Sequence, residues 1–313
     1  MKNSNLFKSF ILIIFSIVFI LFLGLTSNSH ALYIKVVNSK NSIEIKTNNH
    51  TVPISESGAD KIWKLAGVHS ESSCSTDEIG STGLANDCTD DHNLRYIGKD
   101  PNNYVTFNNE LWRIIGVMND IEDGNGNIHS QLKIIKSNIL SKGMDNNFNT
   151  LYKTVLDDTY FDSIDSISQK FVDLVVWYKS TSIDRSVSSS KMYNEEIKDK
   201  SLINEIKKIN FMYASDFGFS TAGNTSFLRK NCLNYNLDTW GSYSGCYENS
   251  WIYDSNYWQY AMNSSAIKEY VYSFHPYDGI GTTRSIRPSL YLKPSIKITG
   301  GSGTSSDPYK LSL

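Results

Sequence analysis

Residues 104–117 constrain the fold more than any other stretch. Tyr104 to Phe107 and Glu110 to Val117 read as two strands, with only Asn108-Asn109 between them. A two-residue connection of this kind makes an antiparallel hairpin, and asparagine tolerates the left-handed backbone that such a turn needs. Leu132 to Lys136 reads as a third strand, and further strands are expected at Leu290–Leu292, Ile296–Ile298 and Tyr309–Leu311. Three helices are expected: Asp60 to Ala66, Asp162 to Tyr178 and Met192 to Ile209. The second is the clearest, with Ile164, Ile167, Phe171, Leu174, Val175 and Tyr178 at the 3.6 period and Asp162 or Ser163 as cap. Strands and helices do not alternate as βαβ units. The expected class is therefore α+β, with antiparallel sheets, flanking helices and long irregular loops.

The N-terminus carries a different kind of information. Lys2 and Lys8 precede an apolar run from Phe10 to Leu25, broken only by Ser16 and Gly24, and Ser29-His30-Ala31 follows. Charged start, apolar run and small-residue cleavage site make residues 1–31 an export signal. The rival is an uncleaved anchor, because residues 10–25 are longer than many signal cores and shorter than a full span. If uncleaved, this segment is the chain's contact with a membrane. The chain then divides into 1–31 (signal or anchor), 32–91 (a hairpin over Leu32–Lys46, a linker and a polar loop) and 92–313 (the main domain). The expected location is extracellular or at the cell surface.

Export bears on the four cysteines, Cys74, Cys88, Cys232 and Cys246. They form two local pairs, each fourteen positions apart, and an even count in an oxidising compartment favours disulfides. Three pairings are possible. The local one, Cys74–Cys88 and Cys232–Cys246, is expected, with free thiols as the alternative. A zinc site lacks both Cys-x-x-Cys and a histidine at ligand spacing. The formal net charge is −2, and no basic stripe is present, which argues against nucleic acid as a partner.

Enzyme templates fail at required positions. GSYSG at 241–245 has tyrosine where a nucleophile elbow needs serine. GIGTTR at 279–284 lacks the third glycine of a dinucleotide loop, and Gly98-Lys99 is followed by Asp100. DGNGNI at 123–128 would place Ile121 and Leu132 at calcium-ligand positions, so a hairpin turn is the better reading. Asp157-Asp158 and Glu195-Glu196 read as solvated helix faces. No catalytic residue, metal ligand or cofactor is expected. The positive anomaly is aromatic density, with eight rings between Trp240 and Tyr260 among Asn, Ser and Gly. Tyr243, Tyr247, Tyr253 and Tyr257 are the candidate binding residues, the first three partly exposed, with Trp251 and Trp258 as core.

Four strings carry a resemblance: HNLRYIGKDPNNYVTFNNELWRIIGV (92–117), FMYASDFGFSTAG (211–223), NSWIYDSNYWQYAM (249–262) and IRPSLYLKPSIKITGGSGTSSDPYKL (286–311). In this order they resemble a large bacterial family of exported proteins of uncharacterised function. Its domain is similar to the formylglycine-generating-enzyme superfamily, which has a C-type-lectin-like fold. The resemblance implies a scaffold of 104–117 and the C-terminal strands, exposed loops at 224–260 and 272–285, and Arg287-Pro288 opening a closing strand. It transfers no catalytic residue, because Cys232 and Cys246 stand too far apart for the cysteine pair of the oxidative members. The function expected is recognition or adhesion without catalysis, with an extracellular glycan or protein as partner. A divergent envelope enzyme or a structural envelope component are the alternatives.

Overall fold

The computed structural model describes residues 32–34, 45–47, 56–67, 79–80, 82–142, 160–179, 187–199, 203–253, 258–261, 272–274 and 284–313. The signal segment 1–31 lies outside them, as do Cys74, Asp157-Asp158 and Tyr257. Among the described residues no helix is long and apolar enough to cross a membrane.

The chain forms two compact units, Met1–Ser55 and Glu56–Leu313. In the first, β1 (Leu32–Ile34) pairs antiparallel with β2 (Ile45–Thr47), as the alternation over Leu32–Lys46 suggests. The second opens with α1 (Gly58–Ala66), whose N-cap Ser57 makes a reciprocal capping box with Asp60. Gly67 stops it in the left-handed conformation. The described residues of 56–91, which the sequence groups with the hairpin, belong to the second unit.

Its central sheet holds β3 (Leu84–Asn86), β4 (Leu94–Tyr96), β5 (Tyr104–Phe107), β6 (Glu110–Glu122), β7 (Ile128–Lys136), β11 (Ile209–Asn210) and β15 (Ser289–Tyr291). The order is β11-β15-β7-β6-β4-β3, with β5 also on β6, and all these pairs are antiparallel. Asn108 and Asn109 both have φ of 54°, the geometry of the two-residue turn expected there. The β6–β7 connection is likewise a turn, with Asp123 Oδ1 accepting from the amides of Asn125 and Asn127. Strand β3 is a correction, since residues 70–93 read as loop. Gly116 lets β4 approach β6 closely: a Cβ there would lie 2.0 Å from the Leu94 carbonyl oxygen.

The C-terminal elements close the unit. β16 (Lys297–Gly300) pairs with β17 (Lys310–Ser312). The Tyr309 carbonyl accepts from Thr106, and the Ile296 carbonyl accepts from Gly58. Arg287 is buried and donates to the Lys136 carbonyl, just before β15 begins. A four-stranded sheet joins β8 (Ser141–Lys142), β12 (Trp258–Ala261), β13 (Tyr272–Phe274) and β14 (Arg284–Ile286). This corrects the expected loop at 272–285, which contains β13 and most of β14. The β12–β14 pair is parallel.

The helix expected over 162–178 does not form. A short 3-10 turn (Phe161–Ser163) and α2 (Ser166–Gln169) occupy its first half, and β9 (Val175–Lys179) its last. Tertiary bonds compete successfully with the helical ladder. Asp173 donates to the Tyr291 carbonyl, and the Leu174 and Phe171 carbonyls accept from Gly124 and Lys293. Two residues of the apolar stripe, Ile167 and Leu174, end 64% and 42% exposed. The helix expected over 192–209 is also split. α3 (Ser189–Tyr193) runs into a π turn (Asn194–Lys198), and β10 (Ile203–Lys207) then pairs with β9. The mixed α+β class with mainly antiparallel sheets holds.

Candidate functional site: an aromatic platform beside a buried polar cluster

The segment that the sequence singles out, 240–260, is only partly a surface. Trp240 is buried, packs on Phe217 with centroids 5.5 Å apart, and donates its indole N–H to the Cys232 carbonyl. Trp251 is buried as expected. Its N–H goes to the Tyr96 carbonyl at 2.8 Å, and the Arg113 guanidinium lies between its ring and that of Tyr104. Tyr247 is a correction. It is 4% exposed and meets Tyr253 edge-on at 4.9 Å, so it belongs to the core. Tyr243 and Tyr253 are half-buried. The side chain of Trp258 lies outside the described residues.

Tyr243 belongs to a group that the sequence reading missed in part. It stacks on Tyr235 with centroids 4.2 Å apart and planes 13° from parallel, and Phe227 meets it edge-on at 5.6 Å. All three rings are half-buried, and Leu228 beside them is 45% exposed. Phe227 and Tyr235 precede the dense window, so a count of rings per segment does not reach them. The base beneath is tightly tied. Phe227 and Tyr235 flank α5 (Arg229–Asn234), and Tyr243 precedes α6 (Ser244–Tyr247). The Cys232–Cys246 disulfide joins the two helices, with Cα atoms 5.4 Å apart. Cys88 is disulfide-bonded as well. Asn224 Oδ1 accepts from the amides of Ser226 and Phe227, and the Asn224 side chain sits where a Cβ on Gly245 would be. Asn224, Thr225, Ser226, Asn234, Thr239, Ser242 and Ser244 are exposed. The result is a stacked aromatic surface on a disulfide-braced base, flanked in sequence by exposed Asn, Ser and Thr residues and by one exposed cation, Lys230.

A second group is wholly interior. In β4 Leu94, Arg95 and Tyr96 are all buried, so both faces are covered and the arginine must be paired inside. Arg95 Nε donates to Asp87 at 3.0 Å and Nη1 to Asp216 Oδ1 at 2.5 Å. Lys133 on β7 donates to Asp216 Oδ2 at 2.6 Å. Its ammonium lies 4.3 Å from the Tyr213 ring centroid and 5.2 Å from those of Trp177 and Tyr291. Asp216 also caps α4 (Ala214–Phe219) by accepting the Tyr213 amide. Asp87 accepts from Thr89 and Asn93 as well, and Asn93 passes the network on to Tyr193 and Asp91.

Burial and charge pull these groups in opposite directions. Burial, with the Arg95 charge nearby, lowers Lys133 despite its contact with Asp216, so its ammonium is easier to deprotonate than usual. Burial works against the Asp216 carboxylate, but Lys133 and Arg95 together hold it below the ordinary range. Glu196 is a correction to the solvated-face reading. It is 1% exposed and accepts from the amides of Ala214 and Ser215, and burial pushes its carboxyl up to about 7. The usable signal was an ionisable residue inside a short apolar strand: Lys133 between Leu132 and Ile134, Arg95 between Leu94 and Tyr96. Among the described residues no group of three His, Cys, Asp or Glu is placed to hold a metal ion.

No protein-family model matches this chain, and no curated protein and no solved structure matches it either.

Proposed function

We propose that this chain is an exported recognition module that engages an extracellular glycan or protein surface through the Phe227–Tyr235–Tyr243 platform, without catalysis. The observation that carries the reading is the stacked, half-exposed tyrosine pair, braced by a disulfide and flanked by Asn, Ser and Thr. Rigid amphipathic rings with adaptable hydrogen-bonding neighbours suit recognition at low cost in lost freedom. The charged N-terminus, the apolar run and the cysteine pairing support export to the cell surface or beyond. The resemblance to the exported bacterial family extends the proposal to a C-type-lectin-like architecture, in which irregular loops present the binding surface. The test is a glycan and protein array probed with the exported chain, beside a Tyr235→Ala/Tyr243→Ala variant. Binding that the variant loses while it still unfolds cooperatively, with a melting temperature only a few degrees lower, supports the reading. Equal binding by both proteins moves the site away from the platform and refutes it.

A further inference from the structure

We propose that Lys133 and Asp216 condense into a side-chain amide, a self-made crosslink between strand β7 and the start of α4. The proposal does not depend on the recognition reading. It rests on the way two cationic side chains share one carboxyl group. Lys133 Nζ meets Asp216 Oδ2 at 2.6 Å, Arg95 Nη1 holds Oδ1 at 2.5 Å, and all three side chains are 1% exposed. The guanidinium fixes the carboxyl plane and leaves the second oxygen turned to the amine.

The chemistry balances with what is present. Moving one proton across the Lys133–Asp216 hydrogen bond turns the ion pair into a neutral amine and a neutral acid, with no change in net charge. Burial favours that neutral pair, and it is burial that depresses the lysine. The opposing influences are the Arg95 charge and the Tyr213 amide on Asp216, the latter donating to Oδ2, and the Glu196 charge on Lys133, so the neutral pair is the minor, reactive one. Attack of the amine nitrogen on Cγ gives a tetrahedral centre whose charged oxygen, Oδ1, stays on Arg95, a preplaced donor. Oδ2 takes protons from the nitrogen and leaves as water. One C–N bond forms, one C–O bond breaks, nothing is oxidised or reduced, and no co-reactant is consumed. The fixed contact supplies a high effective concentration, and the rings of Tyr213, Trp177 and Tyr291 around the ammonium shield the site from solvent. The product also removes two charges from the interior, where an ion pair is an expensive way to satisfy a carboxylate. Arg95 keeps its partner Asp87 and a carbonyl oxygen at the former Oδ1.

The test is mass spectrometry on the purified full chain after reduction of its disulfides. The expected mass is one water below that of the sequence from whatever N-terminus the protein carries. Trypsin cannot cut at an acylated lysine, so residues 114–136 and 209–229 should appear as one branched peptide. Lys133→Arg and Asp216→Ala should each return to the full sequence mass. Separate linear peptides ending at Lys133 and spanning 209–229, with no branched product, overturn the proposal. A water lost within one linear peptide, such as a succinimide at Asp123-Gly124, overturns it equally. The wild-type peptide map decides the matter even if the variants fail to fold.

Discussion

The platform around Tyr235 and Tyr243 and the cluster around Asp216 use similar ingredients, aromatic rings and polar groups, with the roles reversed. In the cluster the charges are innermost and the rings of Tyr213, Trp177 and Tyr291 surround the lysine. On the platform the rings reach solvent, and most of the exposed polar neighbours are uncharged, Lys230 being the charged one on the intervening helix. Charges without water are costly unless they are paired, so the cluster tolerates little change, even though Arg95 Nη2 is buried without a hydrogen-bond partner. Rings half in solvent are already supported from below, so their exposed atoms are available for binding. The comparison teaches that polar composition alone does not identify a surface; what decides is whether each polar atom already has an internal partner.

The most damaging change should be Asp216→Ala, which takes from Lys133 its partner, whether in ion pair or amide, and leaves an uncompensated ammonium in the interior beside Arg95. A loss of about 3–5 kcal/mol is expected in urea unfolding. A cost below ~1 kcal/mol would mean that water reaches the cluster. Next is the brace. Replacing Cys232 and Cys246 by serine should cost about 3 kcal/mol, the chain-entropy value for a loop of this length, and should also weaken binding by the platform. Unchanged stability would show that the two short helices are held by packing alone.

Glu196 supplies a pH-dependent distinction. Its carboxyl rises from an ordinary 4.5 to about 7 in the folded protein. Between those values the folded state binds a proton that the unfolded chain has lost, so stability falls as pH rises through the window, and this group's contribution is fully lost above it. The fall should be about 3 kcal/mol in wild type relative to Glu196→Gln, whose side chain does not titrate. Parallel stability curves for the two proteins would place the group in contact with solvent. The smallest effect on stability belongs to the platform. Tyr235→Ala and Tyr243→Ala should each cost about 1 kcal/mol of folding, the scale of one aromatic pair, while removing about 2 kcal/mol or more of any binding they mediate. Tyrosine variants that unfold as readily as Asp216→Ala would erase the contrast between the two regions.

Local chemistry made much of this readable in advance. The Asn108-Asn109 turn, the strands on either side, the Asp123 turn and α1 follow from residues close in sequence, and they form as read. The local cysteine spacing likewise agrees with the Cys232–Cys246 bond. The failures share one cause. Over 162–178 a good helical stripe yields to hydrogen bonds offered by Gly124, Tyr291 and Lys293, and Trp177 is drawn to Tyr213 and Tyr291 as strand β9. Partners so distant in sequence leave no local mark. The platform was half visible for the same reason, since Tyr243 lies in the aromatic window and Tyr235 and Phe227 reach it only through the fold. The ion cluster hid because Asp87, Arg95, Lys133 and Asp216 are scattered over 130 positions of sequence.

The place of β15 in the central sheet has a consequence for timing. It sits between β11 and β7, although it is made from residues 289–291. While the polypeptide is still being synthesised, β7 therefore has β6 on one side and an open edge on the other. Residues 58 and 106 also await carbonyls supplied by 296 and 309. The Cys232–Cys246 clasp needs none of these late residues and can be in place first. Until residues 289–291 arrive, the open β7 edge is the part of the central sheet most exposed to pairing with another chain.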